Sequence, residues 1–182
     1  MPSVTRPYTV EDVRALPDDR NRYETIAGEL FVTPCPSLRH QAVLARLHLT
    51  IGPYVEQHQL GQLLFAPFDV VYGPMTLVEP DLLFVSSRRR QVLTEREVIG
   101  APDLVVEVLS PSTARTDRGR KRALYQETGV REYWIVYAEQ NLVEIWRPGA
   151  KVAEVCTDVV QWRPDPAIDP LTIDLAAIFK PV

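Results

Sequence analysis

The stretch APDLVVEVLSPST (101–113) contains a short apolar run, LVVEVL (104–109), with turn residues on both sides. A run of this length between turn signals is typical of an interior β-strand. Its one charged member, Glu107, shares a strand face with Val105 and Leu109, because successive side chains alternate between the two faces. A buried carboxylate costs several kcal/mol unless it has a cation, a proton or a metal as partner. The stretch therefore predicts a core strand that carries one paired acidic group.

Helices and strands alternate on both sides of this run. Apolar residues at three- and four-residue steps predict a long helix over 37–58, and a second helix over 114–128 ends at Gly129. A strand at 133–137 follows so closely that this second helix is expected to cross over the sheet. The other predicted elements are a short helix at 9–16, a hairpin at 22–33, strands within 62–71, at 81–85 and at 142–147, and a strand-like tail from 152 with a final short helix near Ala176. The order predicts an α/β fold with one central sheet and helices packed on it.

The composition limits the classes of protein to which the chain can belong. Among 182 residues, 20 Lys and Arg oppose 24 Asp and Glu, the net charge is −4, and 46% are hydrophobic, which excludes disordered and collagen-like proteins. The length predicts a single domain over 1–182. Two distant cysteines form neither a disulfide framework nor a zinc knuckle, and no apolar run approaches the roughly 20 residues that cross a bilayer. We therefore expect a cytoplasmic protein that acts without a membrane.

A second carboxylate, Asp81, stands directly after Pro80 at the start of the predicted strand 81–85. Pro-Asp before a strand can simply cap a turn, and Glu107 alone can simply pair with an arginine. Two carboxylates at the mouths of neighbouring strands, however, are typical of Mg²⁺ or Mn²⁺ sites, since these ions bind one or two carboxylates, keep waters and contact substrate phosphate.

One lysine lies on an apolar helix face. Lys121 precedes Leu124 and Tyr125 by three and four residues, so all three share one side of the helix 114–128. The lysine either extends along the helix edge to solvent or points at the sheet near Glu107. In the second case it could stabilise charge in a transition state or orient an attacking water.

Two further polar residues, His40 and Glu24, each have two interpretations. His40 lies on the inward stripe of the long helix, either as a hydrogen-bonded core histidine or as a site residue. Glu24 lies in the first hairpin strand and either joins the site or pairs at the surface with Arg20 or Arg22.

Together these positions resemble the PD-(D/E)XK nuclease superfamily. Pro80-Asp81 matches its PD half and Glu107 its second acid, whereas Leu109 stands where the lysine usually is. In one subset that lysine is on the following helix, as Lys121 is here. The resemblance narrows to the Uma-type family of restriction endonucleases over roughly residues 8–150. It rests on RYETIAGEL (22–30), the proline-containing loop up to residue 40, VEPDLLFV (78–85), APDLVVEVLSPST (101–113), DRGRKRALYQETGV (117–130) and REYWIV (131–136).

This resemblance implies a restriction-endonuclease-like α/β fold, with a central mixed β-sheet flanked by helices. It implies a nuclease in which Asp81, Glu107 and a backbone carbonyl, expected at Val108, bind one Mg²⁺ or Mn²⁺ that activates water. The expected substrate is nucleic acid, with DNA first, and a homodimer or higher homo-oligomer would let the enzyme cut two strands. The site residues that it implies are Glu24, His40, Asp81, Glu107 and Lys121.

Two positions depart from the family pattern. The family often has Asp before the hairpin glycine, where this chain has Ala27, and Asp after the Tyr-Trp strand, where it has Tyr137. Neither change removes an implied metal ligand. Two other functions stay open, namely a module with a vestigial site that binds nucleic acid or protein, and a metal-dependent hydrolase of a smaller phosphate ester.

Overall fold

Residues 6–182 are described by a computed structural model. The helices are α1 (Val10–Arg14), α2 (Leu38–Gln57), α3 (Ala114–Thr116), α4 (Arg122–Thr128) and α5 (Leu175–Phe179). A 3-10 segment covers Ser87–Val92, and one π-helical turn, Asp117–Lys121, joins α3 to α4. The strands are β1 (Arg22–Ile26), β2 (Glu29–Thr33), β3 (Gly61–Phe65), β4 (Asp69–Val71), β5 (Leu77–Val78), β6 (Leu82–Ser86), β7 (Glu97–Ile99), β8 (Leu104–Val108), β9 (Glu132–Tyr137), β10 (Leu142–Trp146), β11 (Glu154–Cys156), β12 (Val159–Trp162) and β13 (Leu171–Asp174).

The central sheet has six strands in the order β11-β10-β9-β8-β6-β3. It is mixed, because β8 and β9 run parallel while the other neighbours are antiparallel. The helical segment 114–128 makes the parallel crossover between β8 and β9, as the tight connection at Gly129 predicted. The predicted α/β fold with a mixed central sheet is confirmed.

The hairpin does not belong to that sheet. Strands β1 and β2 lie in a second sheet of five strands in the order β2-β1-β5-β4-β7, and β12 and β13 form a separate pair. The expectation of one sheet was therefore incomplete. The second sheet depends on β5, a strand of two residues whose Leu77 pairs with Thr25 of β1, and so short a strand leaves no periodic pattern to read.

The long helix α2 covers one face of the central sheet. Val43, Leu47, Ile51 and Val55 are at most 1% exposed and pack with alternate residues of β6, β8 and β9. Pro53 lies inside α2 without ending it, and the predicted long helix over 37–58 is confirmed. No helix within residues 6–182 is long and apolar enough to span a membrane.

The two faces of β8 have different partners, and this separation positions Glu107. Leu104, Val106 and Val108 belong to the cluster under α2, whereas Val105 packs on the other side with Tyr125 of α4 and Tyr133 of β9. Glu107 shares the face of Val105, so its carboxylate points toward the crossover helix and away from α2.

Candidate active site

Asp81 and Glu107 come together because β6 and β8 are antiparallel neighbours. Leu82 pairs with Val106, so Asp81, one residue before β6, lies beside the end of β8. The Val108 N–H donates to Asp81 Oδ2 at 2.8 Å. Both carboxylates are 2% exposed, so each depends on protein partners for its charge.

Lys121 is the first of these partners. Its Nζ donates to Glu107 Oε1 at 2.9 Å and lies 2.8 Å from Glu24 Oε1 and 3.8 Å from Asp117 Oδ1. The lysine is 2% exposed, so it does not extend to solvent. The π-helical turn points both Asp117 and Lys121 inward, and such turns occur frequently at functional sites.

Strand β1 contributes two charges from one face, because Arg22 and Glu24 are two residues apart. Glu24 is 2% exposed and accepts the Glu79 N–H at 2.8 Å in addition to its contact with Lys121, so the alternative of a surface pair with an arginine is wrong. Arg22 instead donates from Nη1 and Nη2 to Asp81 Oδ1, both at 3.0 Å, and from Nη1 to the Glu79 carbonyl at 2.9 Å.

His40 reaches the same group from the first turn of α2. Its Nε2 lies 2.9 Å from Asp81 Oδ2, and Nδ1 has no hydrogen-bond partner among the described residues. The Ser37 side chain, which accepts the His40 N–H, begins the helix at the position that aims the ring at Asp81. His40 is thus a hydrogen-bonded buried histidine that also contacts the site.

The surroundings move the acids of this cluster in opposite directions. Burial would raise the pKa of Asp81, but the hydrogen bond and charge of His40, the charge of Arg22 and the Val108 N–H outweigh burial and hold the pKa at about 2. Burial raises the pKa of Glu107 well above its usual range, even though Lys121 opposes this shift.

The charge on Lys121 is strongly favoured in turn. Burial would lower the pKa of this lysine, but the carboxylates of Glu107, Glu24 and Asp117 raise it above the ordinary value. Burial raises the pKa of Asp117 to about 6, again against Lys121. Lys121 therefore stays an ammonium ion among three acids.

The site opens into two cavities. Asp81, Glu107 and Lys121 line a cavity of about 180 Å³ together with the 33–37 loop and residues 110–113. Arg22, His40 and Asp81 also line an adjoining groove of about 480 Å³. Buried charges that face open volume are typical of active sites.

A divalent cation has suitable oxygen donors here. Glu107 Oε1 takes the bonds from Lys121 and Tyr125, and Oε2 has no hydrogen-bond partner within residues 6–182. The Leu109 N–H donates to the Val136 carbonyl of β9 on one side of β8. The N–H and the carbonyl of Val108 therefore both point to the other side of the strand, where Asp81 lies. Two carboxylates, one carbonyl and waters fit Mg²⁺ or Mn²⁺.

The same donors also set conditions on such a cation. Within residues 6–182, no group of three or more His, Cys, Asp or Glu side chains is arranged to hold a metal. The two oxygens of Asp81 already accept four hydrogen bonds, which come from Arg22, His40 and Val108. A cation that binds Asp81 would have to displace one of these donors. The cluster has four carboxyl groups (24, 81, 107 and 117) and two permanent cations (22 and 121), so with all four acids ionised a divalent ion would balance the difference of two charges.

Three residues of this cluster were not predicted from the sequence. Arg22 and Asp117 stand two residues before Glu24 and four before Lys121, so strand and helix periodicity placed them on the right faces. Tyr125, taken as a core residue, donates its hydroxyl to Glu107 Oε1 at 3.3 Å. The spacing along the strand and the helix was the available signal for Arg22 and Asp117. It was not used, because a face that carries several charged residues usually points to solvent.

The chain is similar in fold to a crystal structure from Anabaena variabilis ATCC 29413 that is described as a putative nuclease belonging to DUF820. The TM-score is 0.76 and the sequence identity 20%, over 95% of this chain and 98% of the other. None of the curated proteins matches this chain. The model of the family Uma2, described as "Putative restriction endonuclease", matches residues 10–176. Since this match covers nearly the whole sequence, the chain belongs to the Uma2 family.

Proposed function

We propose that this chain is a divalent-metal-dependent endonuclease that hydrolyses phosphodiester bonds of nucleic acid, with DNA as its substrate. The observation that carries the proposal is the pair Asp81 and Glu107, which line one cavity while Lys121 holds Glu107. Membership of a family described as restriction endonucleases agrees with this chemistry.

In the proposed reaction, Asp81, Glu107 and the Val108 carbonyl would hold Mg²⁺ or Mn²⁺. When bound, the ion acts as a Lewis acid on the phosphate and lowers the pKa of a water. His40 keeps Asp81 oriented and ionised through its hydrogen bond. Lys121 and Tyr125 fix one oxygen of Glu107, so the other oxygen would be free to hold the ion. Glu24 positions Lys121.

The role proposed for Lys121 is therefore to position Glu107. A transition-state contact to phosphate would need an ammonium N–H directed into the cavity, whereas Nζ lies 2.8 Å from Glu24 Oε1 and 2.9 Å from Glu107 Oε1.

Cleavage assays test this proposal directly. Supercoiled plasmid and single-stranded DNA are incubated with Mg²⁺ or Mn²⁺ and with wild type, Glu107→Gln, Asp81→Asn or the control Glu144→Gln, whose carboxylate accepts the Trp146 indole N–H away from both cavities. We expect metal-dependent cutting by wild type and Glu144→Gln and none by the two site variants. Cutting that persists in Glu107→Gln would contradict the proposal.

The same assay separates the two alternatives. Metal binding that needs both Asp81 and Glu107, with hydrolysis of bis(p-nitrophenyl) phosphate but of no nucleic acid, would favour a smaller phosphate ester as substrate. An absence of both cutting and metal binding would favour a vestigial site. We further propose a homodimer, because two related sites cut two strands. Light scattering at assay concentration would test it, and a monomer that still makes double-strand breaks would overturn it.

A further inference from the structure

The lysine of the site, Lys121, is already surrounded by carboxylates. Its Nζ lies 2.9 Å from Glu107 Oε1 and 2.8 Å from Glu24 Oε1, with Asp117 Oδ1 at 3.8 Å. The side chain is also 2% exposed. A phosphate that enters the cavity would compete with these carboxylates for Lys121, which favours a second cation at the cavity as its partner.

Arg22 is in the right place to be that cation. Its side chain is 19% exposed and lines both the cavity of about 180 Å³ and the adjoining groove. Burial would lower its pKa, but the charges of Asp81, Glu107 and Glu24 raise it, so the guanidinium is charged at every working pH.

The hydrogen bonds of Arg22 use only one edge of its guanidinium. Nη1 and Nη2, the end edge, both donate to Asp81 Oδ1, and Nη1 also reaches the Glu79 carbonyl. Nε makes no hydrogen bond within residues 6–182, and Nη2 keeps one hydrogen free. The side edge, formed by Nε and Nη2, is therefore available, and two parallel N–H groups match two oxygens of one phosphate.

Hydroxyl groups line the same cavity as Arg22. Ser110 Oγ lies 2.9 Å from Ser112 Oγ and 3.1 Å from Thr113 Oγ1, and all three residues line the cavity with Arg22. Ser110 Oγ and Thr113 Oγ1 also accept the backbone N–H groups of Thr113 and Ser110, and the hydroxyl hydrogens, which rotate, can turn toward an incoming oxygen. The cavity thus joins a fixed cation with adaptable neutral donors.

We propose that Arg22 and the hydroxyl wall (Ser110, Ser112 and Thr113) bind one phosphodiester group, with the two non-bridging oxygens on the side edge of the guanidinium. Because the end edge holds Asp81, the phosphate would be fixed beside the carboxylate proposed to carry the metal. The inference rests on the proposed function in that it takes the substrate to be a nucleic acid. It goes beyond it by naming the phosphate ligand, which is not the lysine.

Binding without turnover tests this proposal. The dinucleotide TpT, which has one phosphodiester, is titrated into the protein in EDTA and followed by ³¹P NMR. Wild type should bind saturably, Arg22→Gln should lose about tenfold or more in affinity, and Arg22→Lys should fall between them because a point charge cannot span two oxygens. The control Arg118→Gln, which removes an exposed arginine that lines neither cavity, should stay within about twofold.

Further variants separate direct contact from damage to the fold. Arg22→Gln leaves Asp81 without its cation, whereas Arg22→Gln/Asp81→Asn removes both charges. The double variant should remain weak for TpT, and Asp81→Asn alone should bind at least as well as wild type, since Arg22 is kept. Circular dichroism and thermal unfolding confirm that each variant is folded.

Three results would overturn the inference. They are an absence of saturable TpT binding to wild type, wild-type affinity in Arg22→Gln or in the double variant, and an equal loss in Arg118→Gln. These outcomes are independent of the cleavage assay. A protein that binds TpT through Arg22 and cuts nothing would keep this inference and contradict the nuclease, while a protein that cuts DNA with unchanged KM in Arg22→Gln would contradict this inference alone.

Discussion

Lys121 Nζ and Glu107 Oε1 lie 2.9 Å apart, and both side chains are almost completely buried. Glu107 lies in β8, and Lys121 lies in the π-helical turn of the crossover segment that follows this strand. One local unit of the fold therefore builds the pair. Each partner lowers the free-energy cost of burying the other's charge, because an isolated buried charge costs several kcal/mol.

Removing the lysine should therefore reduce stability as well as activity. We expect Lys121→Met to lower the free energy of unfolding by about 3–5 kcal/mol, since three carboxylates lose their cation. Urea denaturation measures this loss, and Lys151→Met, at an exposed lysine, is the control. Adding Glu107→Gln to Lys121→Met should restore part of the stability. Equal stability of Lys121→Met and wild type would show that the pair does not contribute to folding.

Asp117 predicts a pH dependence of stability. Burial raises its pKa to about 6 from an ordinary 3.8, so the folded protein keeps a proton that the unfolded chain has already released. Stability from this group is full below about pH 4, falls as the pH rises, and is at its minimum above about pH 6. Asp117→Asn should thus be more stable than wild type by up to about 3 kcal/mol at pH 7.5 and equal to it near pH 4.

Urea midpoints at these two pH values measure that difference. Asp18→Asn, at an exposed aspartate outside both the cluster and its helix, should leave the pH profile unchanged. A destabilised Asp117→Asn at pH 7.5 would mean that the attraction of Asp117 to Lys121 outweighs its burial.

The parts of the site that lie within short segments could be predicted from the sequence. Glu107 is recognisable because it is the one charge in an apolar run, and Asp81 because Pro80 fixes the entry to the next strand. The inward position of His40 follows from the same three- and four-residue spacing that buries Val43 and Leu47.

The contacts between distant segments could not be predicted in the same way. Glu24 and Lys121 are 97 positions apart in the sequence. They meet because β1 belongs to a second sheet, in which the two-residue strand β5 joins β1 to the other strands. Arg22 reaches Asp81 for the same reason. The π-helical turn was not predicted either, because a single turn of five residues is too short to leave a periodic pattern of its own.

The hairpin turn offers a prediction from a family departure. Ala27 has φ 51° and Gly28 φ 81°, so both residues are left-handed and Ala27 is strained. Ala27→Asn should raise the free energy of unfolding by about 0.5–1 kcal/mol without changing DNA cleavage. Gly28→Ala should lower it, because a Cβ there would lie 2.5 Å from Pro7 Cβ. Thermal unfolding of both variants checks this, and a less stable Ala27→Asn would contradict it.

Metal binding should stabilise the folded protein through the two carboxylates of the cavity. The unfolded chain lacks this arrangement, so Mn²⁺ at about 100 times its Kd should add about 2.7 kcal/mol to the free energy of unfolding. The rise in Tm with Mn²⁺ should disappear in Glu107→Gln and in Asp81→Asn, persist in Glu144→Gln, and reverse on addition of EDTA. Because this measurement needs no substrate, it detects the metal site even if the wrong nucleic acid is chosen. A Tm that rises equally in wild type and Glu107→Gln would place the ion elsewhere and remove Glu107 from the proposed metal ligands.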